Sequence, residues 1–364
     1  MADFTPAAGL SNNHLMTLAP LLIHRRFPRT DAGGEKLFIE VAPGNQVLIK
    51  LHQGQGPDQR DGGDPRKAES VIIVLHGLES SAEAPYVRGV CEKAIHEGFS
   101  VARMNMRNCG GTSHLASTLY NAGMSGDVLE VAATLCQRFG YKRVFLCGFS
   151  LGGNLVLKAA GEQQESYSGK YKDLPLSGVC SICPPIDLEG CVKQMERGVN
   201  RIYEKNFVLS LKLKVYEKAR HFPGRYDLKK LRKIRTVRGF DDAFTAPDAG
   251  YGSAVEYYTG ASAQHVLAKI SCPCLIIAAQ DDPLVPFSCF DGLGSPGKNY
   301  RGQLLAPKNG GHVSFIHHQE IISSGSGKEL SKDQLRDPFW SEWQAVSFFS
   351  KCTTGSGSGN SDSL

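Results

Sequence analysis

Gly148-Phe149-Ser150-Leu151-Gly152 joins a short apolar run to a helical pattern through one serine, and this junction is the strongest indication of the fold. The run at residues 143–148 has the length and apolar content of a strand buried on both faces. Residues 151–163 have the spacing of a helix. A G-x-S-x-G segment between a strand and a helix is typical of a sharp, strained turn that exposes the serine hydroxyl, and the residues two positions away must be small. The segment therefore predicts a reactive Ser150.

Short apolar runs alternate with helical patterns on both sides of this segment. Strands are predicted at residues 71–75, 99–105, 143–148, 176–182, 274–279 and 302–306. Helices are predicted at residues 84–97, 125–139, 151–163 and 337–351. Residues 36–41 and 46–52 alternate polar and apolar positions, which predicts a hairpin of edge strands. This order of elements predicts an α/β fold with a mostly parallel, doubly wound sheet.

The alternation stops after the fourth of these buried strands, where the chain looks helical and amphipathic until residue 264. Such a stretch is typical of a helical cap inserted into the core. The predicted organisation is a first core part with an N-terminal extension at residues 1–186, a cap at 187–264, a second core part at 265–352 and a disordered Gly/Ser-rich tail at 353–364. A mobile loop is predicted at residues 53–69.

A neutral serine hydroxyl is a poor nucleophile and needs a base within hydrogen-bond reach. His312 follows Asn309-Gly310-Gly311, directly after the last predicted core strand. The glycines allow a tight turn that can bring the imidazole to Ser150. His317 and His318 are the nearest alternatives, but they lie further along the chain. The sequence therefore predicts His312 as the general base.

An acid is expected between the serine and the histidine, at the end of the preceding strand. Asp281 and Asp282 both follow the predicted strand at residues 274–279. The acid would hold one imidazole tautomer and stabilise the imidazolium that forms. Asp282 is preferred because it directly precedes Pro283, and Asp281 would then hold the loop.

An oxyanion intermediate needs two preorganised N–H donors. The amide of Leu151, directly after the serine, is one candidate, and the amide of Leu78 in His76-Gly77-Leu78-Glu79-Ser80 is the other. His76 is predicted to hold its loop rather than to transfer protons. Arg107 is predicted to organise a strand end near the site.

Composition limits the classes of function. The formal net charge is +5, which is too small to indicate a nucleic-acid partner. The eleven cysteines are an odd number in a large chain and show no zinc-site spacing, so we expect reduced thiols and no metal. No apolar run approaches the roughly 18 residues of a membrane span, and no signal peptide is recognised, so a cytoplasmic protein is expected. Residues 191–238 contain 15 Lys/Arg against 4 Asp/Glu. This excess is either a solvated helix face or a surface that attracts anionic lipids or acidic substrate groups.

The chain resembles the YheT-type branch of the α/β hydrolases from about residue 12 to residue 349. The matching motifs are Asn12-Asn13-His14-Leu15-Met16-Thr17-Leu18, His76–Ser80, the Asn105/Arg107 loop, Gly148–Asn154, Phe240-Asp241-Asp242, Gly250-Tyr251, Glu256-Tyr257-Tyr258, Asp281-Asp282-Pro283 and Gly310-Gly311-His312. Two departures stand out. Asn108 follows Arg107 where the family usually has glycine, and the N-terminal membrane anchor of eukaryotic members is not found. The resemblance implies an α/β-hydrolase fold with a helical cap and no metal or cofactor.

The resemblance also implies esterase activity on short- to medium-chain acyl esters. Ser150, His312 and Asp282 would be the catalytic triad, and a small-molecule acyl ester would be the partner. Three alternatives stay open: a phospholipase with the same triad, an alcohol acyltransferase, and a catalytically silent hydrolase fold that binds a ligand. Weak peripheral contact with an anionic membrane surface is a further expectation from the basic stretch.

Overall fold

One sheet forms the centre of the molecule. The computed structural model describes residues 4–54, 64–293, 302–318 and 337–355. Within these residues eight strands pair in the order β1-β2-β4-β3-β5-β6-β7-β8. They are β1 (Glu35–Ala42), β2 (Asn45–His52), β3 (Ser70–Leu75), β4 (Ser100–Met104), β5 (Arg143–Phe149), β6 (Leu176–Ile182), β7 (Cys274–Ile277) and β8 (Gln303–Leu305). The β1–β2 and β2–β4 pairs are antiparallel, and the other five are parallel.

Helices cover both faces of this sheet. They are α1 (Asn13–Leu18), α2 (Pro28–Asp31), α3 (Pro65–Ala68), α4 (Pro85–His96), α5 (Ser125–Phe139), α6 (Leu151–Glu162), α7 (Leu188–Met195), α8 (Arg201–His221), α9 (Leu228–Lys233), α10 (Val237–Phe240), α11 (Ala246–Asp248), α12 (Ala254–Ala261) and α13 (Trp340–Thr354). Helices α4 and α13 pack on one face of the sheet, and α5 and α6 pack on the other. The predicted α/β class with a mostly parallel, doubly wound sheet is confirmed.

Two local predictions need correction. Residues 65–68 are predicted as loop but form α3, because Pro65 occupies the first helical turn and the Asp64 carboxylate accepts a hydrogen bond from the amide of Arg66. The remainder of the predicted mobile loop at 55–63 lies outside the described residues. The last helix extends to Thr354 and ends at Gly355 with φ 79°, so Thr353 and Thr354 are helical rather than disordered. Residues 356–364 lie outside the described part.

Between β6 and β7 the chain forms α7 to α12 and a π-helical turn at Asp241–Thr245. The predicted core–cap boundaries at 187 and 264 stay a prediction. Helix α8 is anchored to the core by the buried Lys218, whose Nζ donates to Asn108 Oδ1 at 2.7 Å and to the carbonyl of Ala116 at 2.6 Å. All eleven cysteines are thiols. In the portion of the chain that the structure describes, every helix is too short or too polar to cross a bilayer.

Candidate active site

Ser150 lies at the turn between β5 and α6. Its backbone has φ 51° and ψ −122°, a strained left-handed conformation for a residue with a side chain. A Cβ on Gly148 would lie 2.2 Å from the carbonyl oxygen of Gly152, and a Cβ on Gly152 would lie 2.4 Å from that of His76. Only glycine fits at both positions, so the motif is a steric requirement of this turn.

Ser150, His312 and Asp282 are brought together, although they come from three distant parts of the sequence. Ser150 Oγ lies 2.9 Å from His312 Nε2, and His312 Nδ1 lies 2.8 Å from Asp282 Oδ2. Because a carboxylate can only accept hydrogen bonds, His312 Nδ1 carries the proton, and Nε2 is free to accept a hydrogen bond from the serine hydroxyl. Asp282 Oδ1 accepts the amides of Leu284 at 2.8 Å and Val285 at 3.0 Å, which hold the carboxylate in place.

Asp281, the other candidate acid, faces the loop and not the imidazole. Its Oδ1 accepts the amide of Gly311 at 3.0 Å, and its Oδ2 accepts Asn309 Nδ2 at 3.4 Å. Burial raises the pKa of Asp281 above its ordinary value. The alternative base His317 accepts the amide of Thr5 at 3.0 Å on its Nδ1 and does not contact Ser150.

Helix α1 supports both loops of the site, a role that sequence reasoning missed. Thr17 Oγ1 accepts the amide of His312 at 2.9 Å and donates to the carbonyl of Asn13 at 2.7 Å. Asn13 Nδ2 donates to the carbonyl of Asp281 at 2.8 Å. Asn13 and Thr17 are polar residues four positions apart on one face of a short helix, but nothing in that spacing points to His312 or Asp281.

The two amides chosen as oxyanion donors remain available for a ligand. In the loop after β3, the amide of Gly77 donates to Tyr86 Oη at 3.1 Å and that of Glu79 donates to Tyr120 Oη at 2.8 Å. The intervening amide of Leu78 and that of Leu151 have no acceptor among the described residues. The loop also lies against the serine, because a Cβ on Gly77 would be 3.1 Å from Ser150 Cβ.

His76 and Arg107 have the structural surroundings predicted for them. Burial lowers the pKa of His76 to about 4, so the ring is neutral. Its Nδ1 lies 2.8 Å from the carbonyl of Gly77, and its Nε2 accepts the amide of Met106 at 3.2 Å. Arg107 makes two hydrogen bonds of 2.7 and 2.6 Å to the carboxylate of Asp127, and both side chains are buried.

Asn108 explains how this chain replaces the usual glycine. Its φ is 65°, a conformation that glycine adopts freely and asparagine tolerates better than most residues. Its side chain donates to the carbonyl of Thr118 at 2.7 Å and accepts from Lys218 at 2.7 Å. The substitution therefore adds a contact between the core and α8.

A pocket of about 850 Å³, part of it open to solvent, extends from Ser150 and His312 under the cap. Its walls are mostly apolar, with cap residues Leu188, Val192, Met195, Phe207, Leu211 and Phe240 among them. Asp241 is a polar exception. Its Oδ2 accepts Tyr258 Oη at 2.8 Å, and burial raises its pKa to about 6. The mostly apolar lining suits an apolar ligand.

Cys183 lies beside the acid and the base, and one donor atom from each of Cys183, Asp282 and His312 falls within 4.8 Å of the others. The group does not have the character of a metal site. Asp282 and His312 are hydrogen-bonded to each other, and Cys183 Sγ accepts the amide of Val313 at 3.4 Å. Burial raises the pKa of Cys183 well above its ordinary value, which disfavours the thiolate that a metal requires.

Comparison with known proteins assigns the family. A family model described as the alpha/beta hydrolase fold matches residues 70–319, so the chain belongs to that family. It is 32% identical over 317 residues to the candidate esterase YheT of Escherichia coli (strain K12), covering 86% of this chain and 87% of that one. It is 28% identical over 300 residues to a monoacylglycerol lipase of Saccharomyces cerevisiae, covering 74% of this chain but 64% of that one. The resemblance to the YheT branch is confirmed.

A solved structure supports the fold assignment independently. The esterase Pf2001 of Pyrococcus furiosus superposes with a TM-score of 0.53 at 15% identity, covering 90% of this chain and 97% of that one. At this level of identity the similarity concerns the fold.

Proposed function

We propose that this hydrolase is a serine carboxylesterase that acts on short- to medium-chain acyl esters through an acyl-enzyme on Ser150. One observation carries the proposal: Ser150 Oγ, at a strained turn beside the pocket, lies 2.9 Å from a His312 ring that Asp282 holds in the accepting tautomer. This is the arrangement that activates a serine hydroxyl.

The proposed reaction has two acyl-transfer steps. Ser150 Oγ attacks the ester carbonyl while His312 Nε2 takes its proton, and the amides of Leu78 and Leu151 stabilise the oxyanion. The imidazolium then protonates the alcohol oxygen as the ester C–O bond breaks. Water, deprotonated by the same imidazole, attacks the acyl-enzyme and releases the acid. An alcohol in place of water gives a new ester, so the same residues support acyl transfer.

The pocket and the relatives support the substrate class. The pocket beside Ser150 is lined mostly by apolar side chains, which suit an acyl chain, and the cap provides most of them. One relative is named as a candidate esterase and another as a monoacylglycerol lipase, so acyl esters are the common chemistry. A catalytically silent ligand binder has no need for a complete triad, which argues against that alternative. The eleven thiols support a reducing compartment such as the cytoplasm.

A panel of nitrophenyl esters tests the proposal. Butyryl, hexanoyl and octanoyl esters should be hydrolysed with higher kcat/KM than the palmitoyl ester. Ser150→Ala should lower kcat by at least about 10⁴-fold while leaving the melting temperature close to that of the unaltered chain. Absence of turnover of every ester by the folded chain would contradict the proposal.

A further inference from the structure

Helix α8 carries apolar side chains on its solvent-exposed face. Ile202, Leu209 and Leu213 are 67%, 57% and 59% exposed, and their spacing of seven and four residues places them on one side of the helix. The inner face packs through other residues, among them Val208 and Val215, which are buried. The exposed side chains therefore contribute little to the packing of the cap.

A second exposed apolar group lies at the N-terminal end of the described chain. Leu15 and Leu18 on α1, and Leu21 and Leu22 just after it, are exposed, and Leu22 reaches 90%. Helix α1 contacts the start of α8 directly, because His14 Nδ1 lies 3.1 Å from Tyr203 Oη and the two rings stack with their centroids 5.8 Å apart. The start of α1 therefore lies against the start of α8, and both helices carry exposed apolar side chains.

We call these two groups together the exposed apolar surface. It consists of the N-terminal leucines at positions 15, 18, 21 and 22 and the α8 residues Ile202, Leu209 and Leu213. Large exposed apolar patches in folded proteins commonly mark contact with a protein, a membrane or a ligand.

Basic side chains accompany this surface. Arg197, Arg201, Lys205 and Arg220 are exposed on α8 or just before it. None of the four forms an ion pair with any residue that the structure describes, whereas Lys193, Lys214, Arg225 and Arg238 elsewhere in the cap do. Over residues 191–238 the excess is 15 basic against 4 acidic side chains. Unpaired positive charges beside exposed leucines are complementary to a surface that is anionic outside and apolar beneath.

We propose that the exposed apolar surface docks on an anionic phospholipid bilayer. The leucines and Ile202 enter the interfacial region, and the basic side chains contact lipid phosphates and carboxylates. Helix α1 connects this surface to the active site, since the face of α1 opposite its exposed leucines holds His312 through Thr17. Docking would place the pocket beside the bilayer, where apolar esters concentrate. Docking of this surface does not require ester hydrolysis.

Flotation with phospholipid vesicles tests the docking. The full chain should bind vesicles of phosphatidylcholine mixed with phosphatidylserine, and salt should weaken the binding. The double variant Leu21→Ser/Leu22→Ser should bind about 100-fold more weakly, or about tenfold per leucine. Phe38→Ser is the matched control, because Phe38 is 55% exposed but lies on β1 at the far edge of the sheet, and it should bind normally.

A second pair of variants tests the charge contribution. Arg201→Gln/Lys205→Gln should weaken binding to the anionic vesicles by roughly fivefold per charge and should leave the weak binding to pure phosphatidylcholine unchanged. Ser150→Ala should bind like the unaltered chain, so failure of the catalytic proposal is distinguishable. Equal binding of the leucine variant and the Phe38 variant would overturn docking. So would gel filtration showing a dimer that the leucine substitutions make monomeric, because a second copy would then cover this surface.

Discussion

Replacing Asp282 by asparagine is the most informative single change in the site. Asp282 Oδ1 accepts two backbone amides, at 2.8 and 3.0 Å, and an asparagine oxygen would keep both. The asparagine NH₂ would then face His312 Nδ1, which must accept instead of donate. The imidazole proton would move to Nε2, and this nitrogen could then no longer accept a hydrogen bond from the serine hydroxyl.

The size of the effect follows from this geometry. The ring would remain in place but in the wrong tautomer, and loss of general-base function in such a triad lowers kcat by about 10⁴-fold. This factor corresponds to about 5.5 kcal/mol of transition-state stabilisation. The free energy of unfolding should change little, because the amide retains the packing and the two backbone contacts.

Asp281→Asn is the matched control. Asp281 contacts Gly311 and Asn309 but not the imidazole, so its asparagine variant should retain kcat within about tenfold. The assay is the initial rate of nitrophenyl butyrate hydrolysis under saturating substrate, with melting temperatures measured in parallel. If Asp282→Asn kept kcat within tenfold, or if Asp281→Asn had the larger effect, the assignment of the acid would be refuted.

Three other changes have expected outcomes. Thr17→Val should lower kcat by about tenfold at unchanged KM, because the hydroxyl oxygen that accepts the amide of His312 is lost. Thr17→Ser keeps this oxygen and should restore kcat. Steady-state kinetics that show no difference between the two variants would exclude this role. Asn108→Gly should lower the free energy of unfolding by about 1–3 kcal/mol, because the buried Lys218 loses a hydrogen-bond acceptor. This loss should outweigh the better fit of glycine to φ 65°. A denaturant titration that shows a more stable variant would contradict this. Burial raises the pKa of Asp241 to about 6, so the folded state binds the proton more tightly than the unfolded state. Asp241→Asn should therefore raise the free energy of unfolding by about 3 kcal/mol near pH 8. This gain in stability should shrink as the pH falls through 6 and vanish below the ordinary aspartate pKa. A gain in stability that does not change with pH would exclude this explanation.

The sequence predicts the elements around Ser150 well because local chemistry determines them. A steric requirement for glycine at positions 148 and 152 leaves a clear motif, and strands buried on both faces give continuous apolar runs. The candidate acid and base follow from chain order, since parallel strands place their carboxyl ends at one edge of the sheet.

What the sequence does not reveal depends on long-range contacts. Thr17 and His312 are 295 positions apart, and no local pattern pairs them. The role of Asn108 becomes clear only when α8 brings Lys218 to it. The exposed leucines also resemble core residues in sequence, because an apolar side chain at helical spacing is usually buried. Only the packed arrangement shows which face is left uncovered.

Labelling with a fluorophosphonate probe tests the central claim most directly. Peptide mass spectrometry should locate the adduct on Ser150, with one label per chain, and Ser150→Ala should abolish labelling. His312→Ala should slow it by about 10³-fold or more, because the serine hydroxyl then lacks its base. A folded chain that stays unlabelled, or an adduct on another residue while Ser150 stays unmodified, would contradict the claim that the elbow serine is the activated nucleophile.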